Sequence, residues 1–156
     1  MKSIPKFLLS LVLCFGAAII GSVFTRMSVS TWYLELAKPA LAPPNWIFAP
    51  VWNILYFLMA VAIYLVWIKD VSATKQKATY AFYFQLLLNI FWSVVFFGLR
   101  SPLAGLVVIG ILIFAIALTI SYFARISKVS SYLLWPYLLW VCFASYLNYQ
   151  LWILNY

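Results

Sequence analysis

Apolar residues run through this chain in five long blocks, and the charged residues fall between the blocks rather than within them. Cut at charges, prolines and polar clusters, the blocks cover residues 7–25, 46–68, 78–99, 102–124 and 131–152. Each is close to the ~20 residues that a helix needs to cross a bilayer. None shows the alternating polarity of a barrel strand. The predicted fold is therefore an all-α integral membrane protein, a bundle of five transmembrane helices forming one domain over residues 1–156. The first block follows Lys2 and Lys6 and has the outline of a signal peptide. Its length, and the lack of a small-residue cleavage site after it, favour a retained span. Three connections are short. The fourth, residues 26–45, is long and carries all but the last residue of WYLELAKPALAPPNW. An ordered loop of that length usually has a function.

Composition agrees with the pattern. The 156 residues are 68% hydrophobic and 8% charged, whereas a soluble domain is nearer half apolar and a quarter charged. Histidine is absent, and Glu35 and Asp70 are the only acids. That excludes a Ser-His-Asp triad, paired carboxylates and a histidine-rich metal site. Cys14 and Cys142 both fall within apolar blocks and are read as small buried residues. The net charge of +8 is explained by orientation, not by nucleic acid. With the N-terminus inside, Lys2, Lys6, Lys69, Lys75, Lys77, Arg125 and Lys128 lie on the cytoplasmic side, and Arg26, Lys38 and Arg100 lie outside. This is the expected positive-inside bias. It puts the long loop and the C-terminus outside. Five spans do not divide into two matching halves, which argues against an inverted-repeat transporter.

Polar groups within spans need partners, so their positions carry information. Gln85, Asn89 and Ser93 recur every four residues on one face of the third block, with Trp92 and Phe96 alongside. They either glue helices together or line a cavity. Phe48, Trp52 and Tyr56 form a similar stripe in the second block, with Met59 further in, Asn53 beside Trp52, and Pro50 in the first turn. The fifth block brings Trp135, Pro136, Tyr137, Trp140, Phe143, Ala144, Leu147 and Asn148. Trp52 and Trp140 lie too deep for an interfacial belt. Together these residues suit a cavity with aromatic walls and few polar groups. Ala17-x-x-x-Gly21 and Ala18-x-x-x-Ser22 in the first block, and Ala104, Gly105 and Gly110 in the fourth, permit close helix contact within the chain or between copies. In the loop, Pro39, Pro43 and Pro44 reduce the entropy lost on ordering. Trp32 and Trp46 bracket it, and Glu35 and Lys38 are spaced to pair.

Three runs carry a resemblance: WYLELAKPALAPPNWIFAPVWNILYFLMAVAIYLVW, QLLLNIFWSVVFFGLRSPL and SSYLLWPYLLWVCFASYLNYQLWILN. Over about residues 10 to 155 the chain resembles the translocator protein family, TspO/MBR. Its bacterial members are the tryptophan-rich sensory proteins, and it includes the peripheral-type benzodiazepine receptor. The resemblance implies five transmembrane helices, often a homodimer, and a pocket among them under a lid made by the first loop. It implies porphyrins such as protoporphyrin IX, benzodiazepine-type drugs and, in animal members, sterols as ligands. The implied pocket residues are Trp32, Tyr33, Pro43, Pro44 and Trp46 from the loop and Trp52 from the second block, to which the stripe adds Phe48 and Tyr56. Gln85, Asn89, Trp92, Trp140, Phe143, Ala144 and Leu147 complete the set. One departure stands out: after Leu147-Asn148-Tyr149 no basic residue completes the sterol motif proposed for animal members.

The function expected on these grounds is a membrane receptor or sensor for tetrapyrroles and similar flat apolar ligands, in the bacterial inner membrane, with Arg26, Lys38 or Arg100 near the outer mouth to meet propionates. The alternatives are a transporter or shuttle of the same ligands, and a light-dependent porphyrin-degrading protein using Trp52 and Trp140. No obligatory cofactor or metal is expected, with porphyrin present as ligand. The partners are the lipid bilayer and a second copy of the chain, and nucleic acid is not among them.

Overall fold

The computed structural model describes residues 3–70 and 72–156; Lys2, counted above toward the cytoplasmic side, lies outside them. Every long element is a helix. In chain order these are α1 (Ser3–Val29), the single turn α2 (Trp32–Glu35), α3 (Asn45–Trp67), α4 (Ser72–Ser93), α5 (Pro102–Ala124), the short α6 (Lys128–Leu133) and α7 (Trp135–Asn155). The last turn of α4 widens into a π-helical segment, Val94–Gly98. By length and composition, Ser3–Val29, Asn45–Trp67, Ala73–Gly98 and Pro102–Ala124 can each cross a membrane. Helix α7 has 21 residues, and its tryptophans, tyrosines and amides lower its hydropathy. The protein is an integral, multi-pass membrane bundle.

The helix ends differ from the apolar blocks for identifiable reasons. Helix α1 continues one turn beyond Thr25, through Arg26 to Val29, because a long basic side chain can reach the interface without ending the helix. The long connection therefore contracts to the coil between α2 and α3, residues 36–44. Helix α3 starts at Asn45, which puts Pro50 in its second turn and leaves the Trp46 carbonyl without its usual partner. The block 131–152 is broken at Leu134. Pro136 sits at the start of α7 and cannot extend the ladder of α6. Ser101 and Ser127 cap α5 and α6 by accepting from the amides of Ala104 and Ser130.

Helix α1 packs on α3 and α4, α4 on α5, and α5 on α7, while α6 tucks under α3 and α5. The half of the bundle near α6 is solid. Met59, Ile63 and Val66 of α3 meet Phe82 of α4, Ile116 and Phe123 of α5 and Tyr137 of α7, all without solvent exposure. Phe82 stacks on Phe123 with ring centres 5.9 Å apart. At this end Lys6 Nζ donates to the Trp67 carbonyl at 3.0 Å, and Phe7 meets Tyr64 edge to face at 5.2 Å. The first-block small residues divide their work: Ala17 and Gly21 are buried, and a Cβ on Gly21 would lie 3.3 Å from the Ser93 hydroxyl. The half near α2 is hollow.

Candidate functional site

The hollow half is a cavity of about 510 Å³ between α1, α3, α4 and α7. Helix α5 contributes no wall residue; it props α4 and α7 from behind. The aromatic walls are Phe48 and Trp52 from α3, Trp92 with Phe96 and Phe97 from α4 and its π turn, and Trp140 from α7. Trp92 stacks on Phe96 at 5.1 Å, and Phe97 stands on edge to both. A π turn spaces successive side chains more closely in angle than an α turn does, so both phenylalanines reach one cavity. Across it, Phe48 meets Trp140 edge to face at 6.0 Å, and Trp140 leans on Phe143 at 5.6 Å. Ala144, Leu147 and Leu151 finish the α7 wall.

The floor is a chain of hydrogen bonds. The Tyr56 hydroxyl donates to Asn89 Oδ1 at 2.6 Å, Asn89 Nδ2 donates to the Tyr137 hydroxyl at 2.9 Å, and that hydroxyl donates to Gln85 Oε1 at 2.8 Å. Gln85 Nε2 is left with the Met59 sulfur at 3.9 Å. Trp52 tilts over Tyr56 and presents an edge to Tyr137, with centres 5.7 and 6.3 Å apart. A second polar link holds the far wall: Trp92 Nε1 donates to Asn148 Oδ1 at 3.1 Å, and Asn148 Nδ2 donates to the Pro102 carbonyl at 2.7 Å. Gly105 makes this possible, because a Cβ there would lie 3.0 Å from both Asn148 and Phe96. Among the described residues, Trp140 Nε1 is buried in the wall with no partner.

Tyr33 of α2 closes the α2 end, and burial raises its phenol above the ordinary value, keeping it neutral. Ser28 ties α1 to the π turn by donating to the Phe97 carbonyl at 2.6 Å. The coil after α2 is fastened at its start by Asn155. Its side chain accepts from the Ala37 amide at 2.8 Å and donates to the Ala37 carbonyl at 3.0 Å. Lys38 does not bridge to Glu35. Its ammonium lies 3.5 Å from the Leu34 and Leu36 carbonyls and 4.8 Å from the centre of the Tyr33 ring.

Of the residues expected in the pocket, Tyr33, Phe48, Trp52, Tyr56, Asn89, Trp92, Trp140, Ala144 and Leu147 line the cavity together. Six do not. Gln85 is 1% exposed but lies behind Tyr137, below the floor. Trp32 packs on the outer side of Phe96 at 5.6 Å. Trp46 is 73% exposed on the outside of α3. Pro43 and Pro44 belong to the coil that leads into α3, and Phe143 backs Trp140. Arg26, expected near the mouth, lines it; the expected set omits the rest of the α1 wall, Phe15, Ala18, Ile19, Gly21, Ser22, Thr25 and Val29. It also omits Phe96, Phe97, Ser93 and Asn148, and Asn45, Ala49 and Asn53 on the exposed side of α3. The signal for α1 was present, since Ala18, Ser22 and Thr25 follow the same helical spacing as the buried pair Ala17 and Gly21.

A family model described as TspO/MBR family matches residues 10–153. The chain belongs to that family. It is 46% identical over 154 residues to the tryptophan-rich protein TspO of Archaeoglobus fulgidus, covering 98% of this chain and 99% of the relative. It is 45% identical over 158 residues to the tryptophan-rich protein TspO of Chlorobaculum tepidum, covering 99% and 98%. To the human translocator protein it is 37% identical over 136 residues, covering 85% and 80%. The TspO/MBR match contains all the cavity walls, whereas Asn155, which fastens the coil, lies beyond it.

Proposed function

We propose that this protein is a membrane receptor that binds flat, largely apolar ligands in the cavity, with tetrapyrroles such as protoporphyrin IX first among them and benzodiazepine-type drugs as further occupants. In this reading α7 is the fifth span, its 21 residues matching the ~20 that a bilayer needs. The basic ends at Lys6, Lys69, Lys75, Lys77, Arg125 and Lys128 face the cytoplasm. The coil after α2 is the lid on the outer side, and the working unit is a homodimer in the cell membrane. The observation that carries the reading is three tryptophans, Trp52, Trp92 and Trp140, facing one cavity of about 510 Å³. Aromatic walls offer a planar ligand dispersion and ring–ring contacts worth ~0.5–1.5 kcal/mol each beyond simple burial.

The test is a titration of purified protein with protoporphyrin IX in the dark, read by quenching of tryptophan fluorescence. Saturable quenching is expected, with Trp52→Leu weakening affinity by about tenfold, the equivalent of ~1.4 kcal/mol. Linear quenching, the same in both proteins, would mean partitioning into detergent and would refute the reading. Porphyrin degradation is the second reading, favoured by the contact of Trp52 with both Tyr56 and Tyr137. It requires bleaching that depends on light and oxygen and is slowed by Trp140→Phe. Transport is distinguished by net flux into sealed vesicles.

A further inference from the structure

Several polar groups of the cavity wall are bonded already. Tyr56 and Asn89 bond to each other, as do Trp92 and Asn148. The Ser22 and Thr25 hydroxyls donate to carbonyls of their own helix, at Ile19 and Gly21. The exposed amides of Asn45 and Asn53 can donate or accept equally well. Three pure donors are left. Among the described residues, Trp140 Nε1 is buried without a partner and Trp52 Nε1 makes no hydrogen bond. The third is the guanidinium of Arg26, exposed in the last turn of α1 and part of the wall.

Arg26 carries the one formal charge in the wall, and among the described residues no group neutralises it. The only carboxylates outside the C-terminus belong to Glu35 and Asp70. Glu35 is exposed on α2, and Asp70 follows α3 at the opposite end of the bundle. Among the described residues Arg26 has no ion pair and no hydrogen-bond partner. A basic residue there has a second, ordinary role. It complements the C-terminal end of the α1 dipole and reaches the interface. Any cation would serve that role, and no ligand preference would come from it. A planar guanidinium at the mouth of an apolar cavity does give one, because its fork matches a carboxylate and binds it with charge-assisted hydrogen bonds.

We propose that Arg26 is a specificity-determining residue, selecting ligands that join a flat or elongated apolar body to an anionic carboxylate. The carboxylate meets the guanidinium at the mouth, and the body lies against Trp52, Trp92 and Trp140. The inference rests on the cavity being the ligand site, as proposed above. Such an amphipathic acid has two sources, a free tetrapyrrole acid or a fatty acid of the surrounding membrane.

Affinities for protoporphyrin IX and for its dimethyl ester, which lacks both charges, are compared in nanodiscs of zwitterionic lipid. The proteins are wild type, Arg26→Gln and Arg26→Lys. Wild type is expected to prefer the acid by about tenfold. Arg26→Gln removes that preference by weakening the acid alone, and Arg26→Lys keeps part of it. Unchanged affinity of Arg26→Gln for the ester verifies that the cavity is intact. Equal affinity of wild type for acid and ester overturns the inference, and so does an equal loss of both in Arg26→Gln. If neither ligand saturates wild type, the cavity reading itself fails along with the inference, a separate result. Oleate and oleyl alcohol then serve as competitors. Displacement by oleate alone extends the class to membrane acids. Displacement by neither confines it to the free acid, and equal displacement by both overturns it.

Discussion

Tyr137→Phe removes one oxygen from the most deeply buried polar chain in the molecule. The Tyr137 hydroxyl accepts from Asn89 and donates to Gln85, and Tyr137 has no solvent exposure. Its loss orphans a carbonyl on Gln85 and an N–H on Asn89. In a water-soluble core each orphan costs ~1–3 kcal/mol. Within membrane bundles, measured side-chain hydrogen bonds average ~0.6 and reach ~1.7 kcal/mol, because the unfolded helices find other partners. Two bonds on the membrane scale give an expected loss of about 1–3 kcal/mol. Gln85→Leu removes the lower of those bonds, so the double variant Gln85→Leu/Tyr137→Phe loses it only once. A coupling of about 1 kcal/mol is expected between the two sites. The assay is reversible unfolding in mixed micelles with a rising fraction of dodecyl sulfate, followed by far-ultraviolet circular dichroism. Losses that add to within about 0.3 kcal/mol would refute the relay. The same variants test the position of Gln85: ligand affinity should be little changed by Gln85→Leu and clearly weakened by Asn89→Ala.

Glycines at two positions should respond oppositely. Gly105→Ala pushes a methyl against Asn148 and Phe96 and should destabilise by about 1–3 kcal/mol, the usual cost of overpacking. Gly110 has nothing within 4 Å, so Gly110→Ala should be neutral or stabilise by up to about 1 kcal/mol in the same micelle titration. Asn155→Ala unfastens the coil from α7 and should speed both binding and release of ligand in stopped-flow quenching, with less change in the equilibrium constant. Arg100 has φ 53°, in the left-handed region, and Arg100→Gly should raise stability by about 0.5–1 kcal/mol by removing a Cβ clash.

Much of the fold was legible because a bilayer leaves the chain few options: long apolar blocks must be helices, and charges must lie between them. The breaks were harder to place. Pro136 marks the break at Leu134 once its missing N–H is counted, but the block around it reads as continuous by hydropathy alone. The stripe of Gln85, Asn89 and Ser93 shows the limit of spacing arguments. Each step of four residues over-rotates an α-helix by about 40°. Asn89 and Ser93 therefore reach the cavity while Gln85, on the same nominal stripe, turns below its floor. The aromatics of α3 and α7 were found because large rings deep in a span demand an explanation. The α1 wall was missed because Ala18, Ser22 and Thr25 are small. Small residues read as close packing, yet here they vacate room for something else. The π turn that brings Phe96 and Phe97 into one wall has no signature in the sequence that we can identify.

The pairing of α1 with α3 has a mechanical consequence. The two are pinned at one end by the contacts of Lys6 with Trp67 and Phe7 with Tyr64, and the cavity separates them at the other. From Phe7 to Arg26 is roughly 30 Å of helix at ~1.5 Å per residue. A swing of only ~6° about the pin moves Arg26 by roughly 3 Å, close to the ~3.5 Å thickness of one more carbon layer. Paired spin labels near Met27 and Trp46 should therefore separate when a thicker ligand binds, while a pair near Leu8 and Ile68 stays fixed; equal shifts in both pairs would rule out a pivot. Leverage of this kind lets one site accept guests of unequal thickness while the solid half keeps its packing.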